Sequence, residues 1–357
     1  MQKSLMSAVC VAIFLNLNCL VVQAQESSVN TIAATDDHVT IMGRIVKTSD
    51  AAAQFAFPGV SFFINFEGKT LSLDGLSSGG QNYIDLIVDG GEPKRVKLNA
   101  QQEHLHLVKS DSFQKHSIEI IHRSETWHGT ATFKKFTTDG KFLAAPALPK
   151  RKILFLGDSV TCSEAIDRVD GGTKEASWWN PRLSYGMLAA KALDAQVNLV
   201  CMGGRGLIRS WNGKTSEHNL PDFYQFAIAT DKDPVQWDHT QYDPDLIVSA
   251  IGTNDFSLGI PDREIYVNTY AEFLLTLLAN HKHAQIALME GSIVDGDKKA
   301  ALIDYLYEVL KRVGDKRVHI VKSTHYPGDK TDAHPTKEQH ASMARDLVPQ
   351  VKVIMKW

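Results

Sequence analysis

The sequence predicts two domains: an N-terminal β-sandwich of the jelly-roll kind, and a C-terminal α/β domain with a parallel sheet between helix layers. Three observations support this. Residues 36–143 contain short alternating strands and no long helical period, residues 144–152 form a linker with two prolines, and apolar strands alternate with helices from residue 153 to 357. The 357 residues, 43% hydrophobic and 22% charged, suffice for two globular domains.

Residues 1–24 have the features of a secretory signal peptide. Lys3 gives a positive start, an apolar stretch runs from about Ala8 to Val22, and small residues precede Gln25. A membrane anchor is the alternative, but the stretch is short for the ~20 residues that a span needs. We therefore expect a secreted protein, extracellular or periplasmic, with no membrane segment after cleavage.

The charge balance argues against nucleic acid as a partner. The whole chain has 38 basic and 41 acidic residues, a net charge of −3. Loss of Lys3 with the leader leaves 37 basic residues, so the mature chain carries −4. No basic stripe or arginine-rich run is present, and such patches are what nucleic acids bind.

Two cysteines, Cys162 and Cys201, remain after the leader is removed. Both lie near the ends of predicted parallel strands, so a disulfide is geometrically possible. Two cysteines make no disulfide framework in a chain this long, and we expect two half-buried thiols. Their spacing does not resemble a zinc site.

The N-terminal strands are marked by alternation and by turn residues. We expect turns at Glu67-Gly68, at Asp89-Gly90-Gly91 and at Asp139-Gly140. The predicted strands are VSFFINF, KTLSLDGL, NYIDLIVDG, EHLHLVK, HSIEIIH and GTATFKKF.

The C-terminal strands are apolar throughout, which is typical of a parallel sheet covered on both faces. The predicted strands are ILFLGDS, VNLVCMGG, DLIVSAIG, QIALMEG and VHIVK. The predicted helices are PRLSYGMLAAKALD, IYVNTYAEFLLTLLANH, KAALIDYLYEVLKRVG and TKEQHASMARDLVPQVKVI.

Four short stretches place unusual residues beyond strands, where open α/β sheets bind ligands. They are GDS at 157–159, GGRG at 203–206, GTND at 252–255 and DAHP at 332–335. Taken singly, each has an ordinary structural interpretation as a turn or a helix cap. Together they supply every part of an ester hydrolase.

Acyl transfer needs a nucleophile, a base, a group that orients the base, and donors for the oxyanion. Ser159 offers the hydroxyl, His334 the base, and Asp332 a carboxylate to hold the imidazole. The predicted oxyanion donors are the N–H of Ser159 at a helix N-terminus, the N–H of Gly204 and the amide of Asn254. Gly157 permits the sharp turn, and we expect Asp158 to pin it.

The four blocks GDSV, GGRG, GTND and DAHP resemble the SGNH hydrolase superfamily, also described as GDSL-like. The words GDSVTC, LSYGMLAAKAL and GGRGL, together with NYIDLIVDG and ETWHGTATFKKF, resemble carbohydrate esterase family 2. The resemblance implies a secreted serine esterase that removes O-acetyl groups from plant cell-wall polysaccharides such as xylan or glucomannan, without a metal or organic cofactor. It implies Ser159 as nucleophile, His334 as base, and Gly204 and Asn254 as oxyanion donors.

Two departures bear on the site. Asp332 lies two residues before the histidine, where the wider superfamily usually has three, and some members work with a serine–histidine pair alone. After Cys162, the family often continues with glycine and tyrosine, whereas this chain has Ser163-Glu164-Ala165 and a longer loop through Trp178 and Trp179. We expect that loop to border the substrate pocket.

Aromatic residues in the catalytic half are candidates for stacking on sugar rings. We expect Trp178 or Trp211 to contact substrate, and Arg205 beside Gly204 either to contact substrate, to brace the turn or to be exposed. The N-terminal domain either binds polysaccharide, with Trp127 as its candidate, or serves as a scaffold.

Histidine pairs at 104 and 106, and at 281 and 283, lack a third ligand nearby in sequence, so we expect no metal site. Two other functions stay open. One is an esterase or lipase of the same architecture that acts on lipid or aryl esters. The other is a non-catalytic polysaccharide-binding protein.

Overall fold

The computed structural model describes residues 29–101, 103–230 and 232–357, and the predicted signal peptide lies outside them. In the described N-terminal part, ten strands form an antiparallel sheet of order β3-β4-β9-β5-β8-β6-β7, with β1 joined to β9 and with β2 and β10 joined to β5. The strands are β1 (Asn30–Ala33), β2 (Val39–Met42), β3 (Val46–Lys47), β4 (Ala53–Phe55), β5 (Ser61–Ser77), β6 (Asn82–Val88), β7 (Lys94–Leu98), β8 (Glu103–His122), β9 (Ala131–Thr138) and β10 (Lys141–Phe142).

Two of the predicted turns in this sheet are wrong. Glu67 and Gly68 lie inside the continuous strand β5, whose pairing with β8 shifts register between Gly68 and Thr70. Asp139 and Gly140 form a bend, after which the chain continues along β5 as β10. Asp139 Oδ1 accepts hydrogen bonds from the N–H groups of Lys69 (2.9 Å) and Thr70 (3.0 Å). These bonds join the bend after β9 to the register shift in β5. Both glycine-containing pairs therefore mark a β-bulge rather than a chain reversal.

The turn predicted at residues 89–91 is confirmed, because it joins the antiparallel pair β6 and β7. The stretches EHLHLVK and HSIEIIH, predicted as two strands, are one strand, β8. Alternate side chains of β5 are buried in the core of this sheet. They are Phe62, Ile64 and Phe66 before the bulge, and Leu71 and Leu73 after it.

The C-terminal part contains the predicted parallel sheet, of order β12-β11-β15-β16-β17. Its strands are β11 (Arg151–Gly157), β12 (Ala195–Cys201), β15 (Leu246–Ala250), β16 (Gln285–Met289) and β17 (Val318–Val321). The helices are α1 (Tyr185–Ala192), α2 (Leu220–Phe223), α3 (Arg263–Asn280), α4 (Gly296–Val313) and α5 (Lys337–Met355). The short hairpin β13 (Phe226–Ile228) and β14 (Val235–Gln236), like α2, was not predicted.

Alternate residues of each central strand are buried against opposite helix layers. On β11, Phe155 packs with α1 and α5, whereas Leu154 and Leu156 pack with α3 and α4. This two-sided burial explains why the strands are apolar throughout. None of the helices described is both long enough and apolar enough to span a lipid bilayer.

The expectation of two free thiols is wrong. Cys162 and Cys201 form a disulfide, with Cα atoms 5.6 Å apart. Gly157 and Cys201 are directly paired at the ends of β11 and β12, and the turn after β11 brings Cys162 back over that end. The bond therefore ties the segment after Ser159 to the neighbouring strand.

Candidate active site

The site lies at the topological switch point of the parallel sheet. From β11 the chain proceeds to β12 on one side, and later returns to β15 on the other side. The loops after these three strands diverge and leave a crevice at the carboxyl edge, where doubly wound sheets bind ligands. Ser159 follows β11, residues 203–206 follow β12, and Asn254 follows β15.

Ser159 sits on a series of turns rather than at the predicted helix N-terminus. Residues 159–167 form turns, in which Cys162 N–H donates to Asp158 O (3.0 Å) and Glu164 N–H to Ser159 O (3.0 Å). Asp158 is buried, and its Oδ1 accepts the N–H of Val160 at 3.0 Å. Burial raises the pKa of Asp158 to about 6, against the opposing effect of that hydrogen bond. A Cβ at position 157 would lie 2.8 Å from Ala250 O, so the strand must end in glycine.

The structure brings Ser159, His334 and Asp332 into one hydrogen-bonded chain. His334 Nε2 lies 2.9 Å from Ser159 Oγ. His334 Nδ1 lies 2.6 Å from Asp332 Oδ1, which also accepts the His334 backbone N–H at 2.9 Å. Burial opposes ionisation of Asp332, but hydrogen bonds from His334 and Lys174 outweigh it and hold the pKa of Asp332 well below its ordinary value. The geometry is that of a nucleophile, a base and an orienting carboxylate.

Three residues with candidate N–H donors line the same crevice, namely Ser159, Gly204 and Asn254. Among the described residues, no hydrogen-bond partner uses the backbone N–H of Ser159 or that of Gly204. Gly204 has φ of +74°, a conformation that favours glycine. Asn254 Nδ2 donates one hydrogen to Arg205 O at 2.7 Å, which leaves its second hydrogen for another acceptor.

Asp255, which sequence reasoning passed over, holds the chain after Gly204. Its buried carboxylate accepts the N–H groups of Leu207 (2.9 Å) and Ile208 (2.8 Å). Burial raises the pKa of Asp255 to about 6, opposed by these hydrogen bonds. The acid at the end of GTND was the available signal, because a buried carboxyl needs several donors.

A second carboxylate and two cations surround the histidine, and sequence reasoning missed their roles. Glu164 Oε2 lies 3.5 Å from His334 Nε2. Lys174 Nζ bridges Glu164 Oε1 (2.6 Å) and Asp332 Oδ2 (2.7 Å). Arg168 donates to the carbonyls of Asp332 (2.7 Å) and His334 (2.6 Å), and so fixes the loop that carries His334. All three come from the long loop after Cys162.

The crevice is a pocket of about 540 Å³. Its lining comes from both domains and comprises Glu125, Trp127, His128, Ser159, Glu164, Trp179, Gly203, Gly204, Trp211, Thr253, Asn254, Ile293, Ala333 and His334. A larger cleft of about 690 Å³ lies between the domains, lined mostly by charged side chains, and it includes none of Ser159, Asn254 and His334.

Two of the predicted substrate contacts lie elsewhere. Trp178 is only 3% exposed, because it packs against Ala165 and Trp179, and it is Trp179 that lines the pocket. Arg205 is buried beneath Trp127, with its guanidinium 4.7 Å from the ring centre, and it pairs with Glu217. Trp211 does line the pocket and is 60% exposed.

The N-terminal domain reaches the pocket through the 3₁₀ helix Thr126–His128 and the preceding Glu125. Glu125 is buried and accepts the N–H of Gly203 (2.7 Å) and Trp179 Nε1–H (3.1 Å). Burial, with the nearby charge of Glu164, raises the pKa of Glu125 to about 8. Nothing in the pattern of residues 123–128 had marked Glu125 as a pocket residue.

One histidine of each pair weighed as metal ligands has another partner. His104 Nδ1 lies 2.6 Å from Asp74 Oδ1, and His281 Nε2 lies 3.0 Å from the Tyr224 hydroxyl. In the described residues, no group of three or more histidine, cysteine, aspartate or glutamate side chains is placed to hold a metal ion.

Two family models match the chain, one in each domain. Residues 41–146 match the carbohydrate esterase 2 N-terminal model, and residues 155–346 match the GDSL-like lipase/acylhydrolase family. An acetylxylan esterase/glucomannan deacetylase from Cellvibrio japonicus is 56% identical over 340 residues, which cover 95% of each chain. The chain belongs to carbohydrate esterase family 2.

Solved structures of carbohydrate esterase family 2 share the whole fold. A member from Cellvibrio japonicus, 56% identical, superimposes with a TM-score of 0.92 over 92% of this chain and 99% of that one. A Clostridium thermocellum member, solved in complex with cellohexaose, is 28% identical, with a TM-score of 0.83 over 89% and 99% of the two chains. The resemblance expected from the sequence is therefore confirmed, and the protein is an esterase of the GDSL-like type.

Proposed function

We propose that this carbohydrate esterase removes O-acetyl groups from plant cell-wall polysaccharides, xylan and glucomannan among them. One observation carries the proposal. Ser159 Oγ, 2.9 Å from His334 Nε2, opens into a pocket that also presents the N–H groups of Ser159 and Gly204 and the Asn254 amide. The name of the 56% identical relative, acetylxylan esterase/glucomannan deacetylase, supports the choice of substrate.

In the first half-reaction, Ser159 Oγ attacks the acetyl carbonyl carbon while His334 Nε2 takes the hydroxyl proton. The carbonyl oxygen becomes an oxyanion, which accepts hydrogen bonds from Ser159 N–H, Gly204 N–H and Asn254 Nδ2. Asp332 holds Nδ1–H and stabilises the imidazolium. The tetrahedral intermediate then breaks its bond to the sugar oxygen, which leaves with the proton from His334.

In the second half-reaction, His334 takes a proton from water, and the resulting hydroxyl attacks the acetyl-serine carbonyl. The same three donors stabilise the second oxyanion. Collapse breaks the bond to Ser159 Oγ, which regains its proton from His334, and acetate leaves. No cofactor enters this sequence.

The exposed face of Trp211 offers a stacking surface for a sugar ring at the pocket. The Clostridium thermocellum member was solved in complex with cellohexaose, which supports a glycan as the ligand. We therefore propose Trp211, with Trp179 in place of Trp178, as the aromatic contacts of the polysaccharide.

The test is acetate release from acetylated xylan and acetylated glucomannan by the wild type and by Ser159→Ala. We expect release from both polymers by the wild type, and a loss of at least about 10³-fold in the variant. Undiminished release by Ser159→Ala would refute the nucleophile. Absence of release from either polymer by a folded wild type would refute the proposed substrate.

Rates on acetyl, butyryl and octanoyl esters of 4-nitrophenol separate this proposal from a lipase. We expect the acetyl ester to be hydrolysed fastest. A preference for the octanoyl ester would favour the lipid substrate.

We also propose that the N-terminal sheet folds over itself as a jelly-roll β-sandwich. β5 pairs with β2 near its start and with β9 near its end, which supports a sheet that wraps round. The first family model ends at residue 146 and the second begins at 155, which supports the linker predicted at 144–152. The last two residues of that range belong to β11, which begins at Arg151.

Secretion is likewise a proposal, with residues 1–24 as the signal peptide. The Cys162–Cys201 disulfide supports it, because such bonds persist in oxidising compartments. N-terminal sequencing of the exported protein should start at Gln25, and retention of the leader in the mature protein would contradict this.

A further inference from the structure

The peptide unit between Gly203 and Gly204 is held from outside the catalytic domain. Trp127 Nε1 donates to Gly203 O at 2.9 Å. Glu125 Oε2 accepts the Gly203 N–H at 2.7 Å. Both polar groups of Gly203 are therefore occupied by residues of the N-terminal domain.

Gly203 C=O and Gly204 N–H belong to the same peptide plane. In a trans peptide the C=O and N–H bonds point in opposite directions, and the described residues contain no cis peptide bond. A donor that fixes the carbonyl on one side thereby fixes the N–H on the other. Without that donor, two consecutive glycines would leave the plane freer to rotate than any other pair of residues.

The donor is itself held in place. The Trp127 ring lies over the guanidinium of Arg205, 4.7 Å from the ring centre, and Arg205 pairs with Glu217. Glu125 is 1% exposed, and its second oxygen accepts Trp179 Nε1–H at 3.1 Å. A hydrogen bond to a peptide carbonyl also polarises the unit and strengthens its N–H as a donor.

We propose that the N-terminal domain completes the oxyanion hole, with Trp127 and Glu125 as positioning residues that aim the Gly204 N–H at the developing oxyanion. The inference rests on the proposed function, in which Gly204 N–H is an oxyanion donor. It assigns the N-terminal domain a part in the chemical step, beyond scaffolding or capture of polysaccharide.

Trp127→Phe tests this directly, since phenylalanine keeps an aromatic ring but loses the N–H donor to Gly203 O, together with the five-membered part of the indole. With 4-nitrophenyl acetate, we expect kcat to fall at least about tenfold, part of the ~10²–10³-fold loss typical of a whole oxyanion donor. KM should change less than about twofold. Phenylboronic acid forms a tetrahedral adduct with an active-site serine, and its inhibition constant should rise by about the same factor as kcat falls.

Trp237→Phe is the matched control. Trp237 also lies over an arginine, with Arg44 at 5.1 Å from its ring centre, and it does not line the pocket. The kcat and the boronate affinity of the Trp237→Phe variant should stay at the wild-type values. Melting curves establish that each variant folds.

Glu125→Gln and Glu125→Ala give a second route should Trp127→Phe fold poorly. The glutamine oxygen still accepts the Gly203 N–H, so kcat should stay within about threefold, whereas alanine should lose at least about tenfold. Unchanged kcat in a folded Trp127→Phe or Glu125→Ala would overturn the proposal. So would a fall in kcat with unchanged boronate affinity, because the loss would then lie outside the oxyanion hole.

Ser159→Ala separates this proposal from the proposed function. Full activity in Ser159→Ala, or a wild type that boronate does not inhibit, would refute both. An inactive Ser159→Ala beside an unaffected Trp127→Phe would refute only the role of the N-terminal domain.

Discussion

Lys174 joins the two carboxylates that flank His334, and its charge therefore bears on the protonation of the imidazole. Lys174→Met leaves Asp332 and Glu164 uncompensated near the ring, which stabilises imidazolium. The acidic limb of kcat/KM against pH should move toward higher pH. A pH–rate profile on 4-nitrophenyl acetate measures the shift.

Glu164→Gln is the counterpart with opposite sign. It removes a carboxylate 3.5 Å from His334 Nε2, so imidazolium loses support and the acidic limb should move toward lower pH. Shifts of the same sign in both variants would contradict a direct electrostatic action on the histidine.

The buried carboxyl group of Glu125 should make the free energy of unfolding depend on pH. Its pKa is raised to about 8 in the folded protein, from 4.5 ordinarily, by burial and by Glu164. Between these values the folded state holds a proton that the unfolded state has lost, so stability falls as pH rises, by at most about 1.4 kcal/mol per unit. Urea unfolding from about pH 5 to pH 8 should show a steeper fall for the wild type than for Glu125→Gln. Parallel curves would contradict the raised pKa.

At the scale of elements, the disulfide ties the turn that carries Ser159 to the end of β12. It joins residues 39 apart, and a closed loop of that length stabilises a protein by about 2–4 kcal/mol. Cys162→Ala/Cys201→Ala should lose that amount in urea unfolding, whereas treatment of this variant with a reductant should change nothing further. Equal stability of the wild type and the double variant would show that the bond adds nothing.

Element type was predictable where burial alone decides it. The prediction was correct for the strands that are apolar on both faces, namely β11, β12, β15, β16 and β17. The bulge of β5 was read as a turn because Glu67-Gly68 has turn residues, yet its pairing with β8 keeps the strand continuous. Local turn preference is weak against a long ladder of cross-strand pairs.

The candidate site was predictable to the extent that it follows strand ends. The topology alone places Ser159, Gly204 and Asn254 at the carboxyl edge of the sheet. His334 was identified from the motif DAHP. Glu125, Lys174 and Arg168 were missed because their partners are distant in the chain and no local pattern marks them. Trp178 and Trp179 are adjacent, and only packing decides which of the two faces the pocket.

At the scale of the whole molecule, buried polar contacts join the two domains, and both domains contribute to the lining of the pocket. Arg44 of the N-terminal domain is 2% exposed and donates to the carbonyls of Tyr224 (2.6 Å) and Phe226 (2.8 Å). Burial lowers the pKa of Arg44 to about 9. These hydrogen bonds join the N-terminal domain to the segment that runs from the end of α2 into β13 of the C-terminal domain.

Arg44→Met should therefore destabilise the protein by about 3 kcal/mol, since two buried carbonyls lose their donor. Lys135→Met is the control, because Lys135 pairs with Asp74 at 3.3 Å while half exposed, and such pairs contribute at most about 1 kcal/mol. Urea unfolding measures both. A smaller loss in Arg44→Met than in Lys135→Met would refute this view of the interface.

The proposed reaction depends on Ser159 as the group that takes the acetyl. A fluorophosphonate should label Ser159, as located by peptide mass spectrometry, and acetate release from acetylated xylan should fall in proportion to the labelled fraction, to zero at full labelling. Acetate release that persists after complete labelling of Ser159, or a label found on another residue, would contradict it.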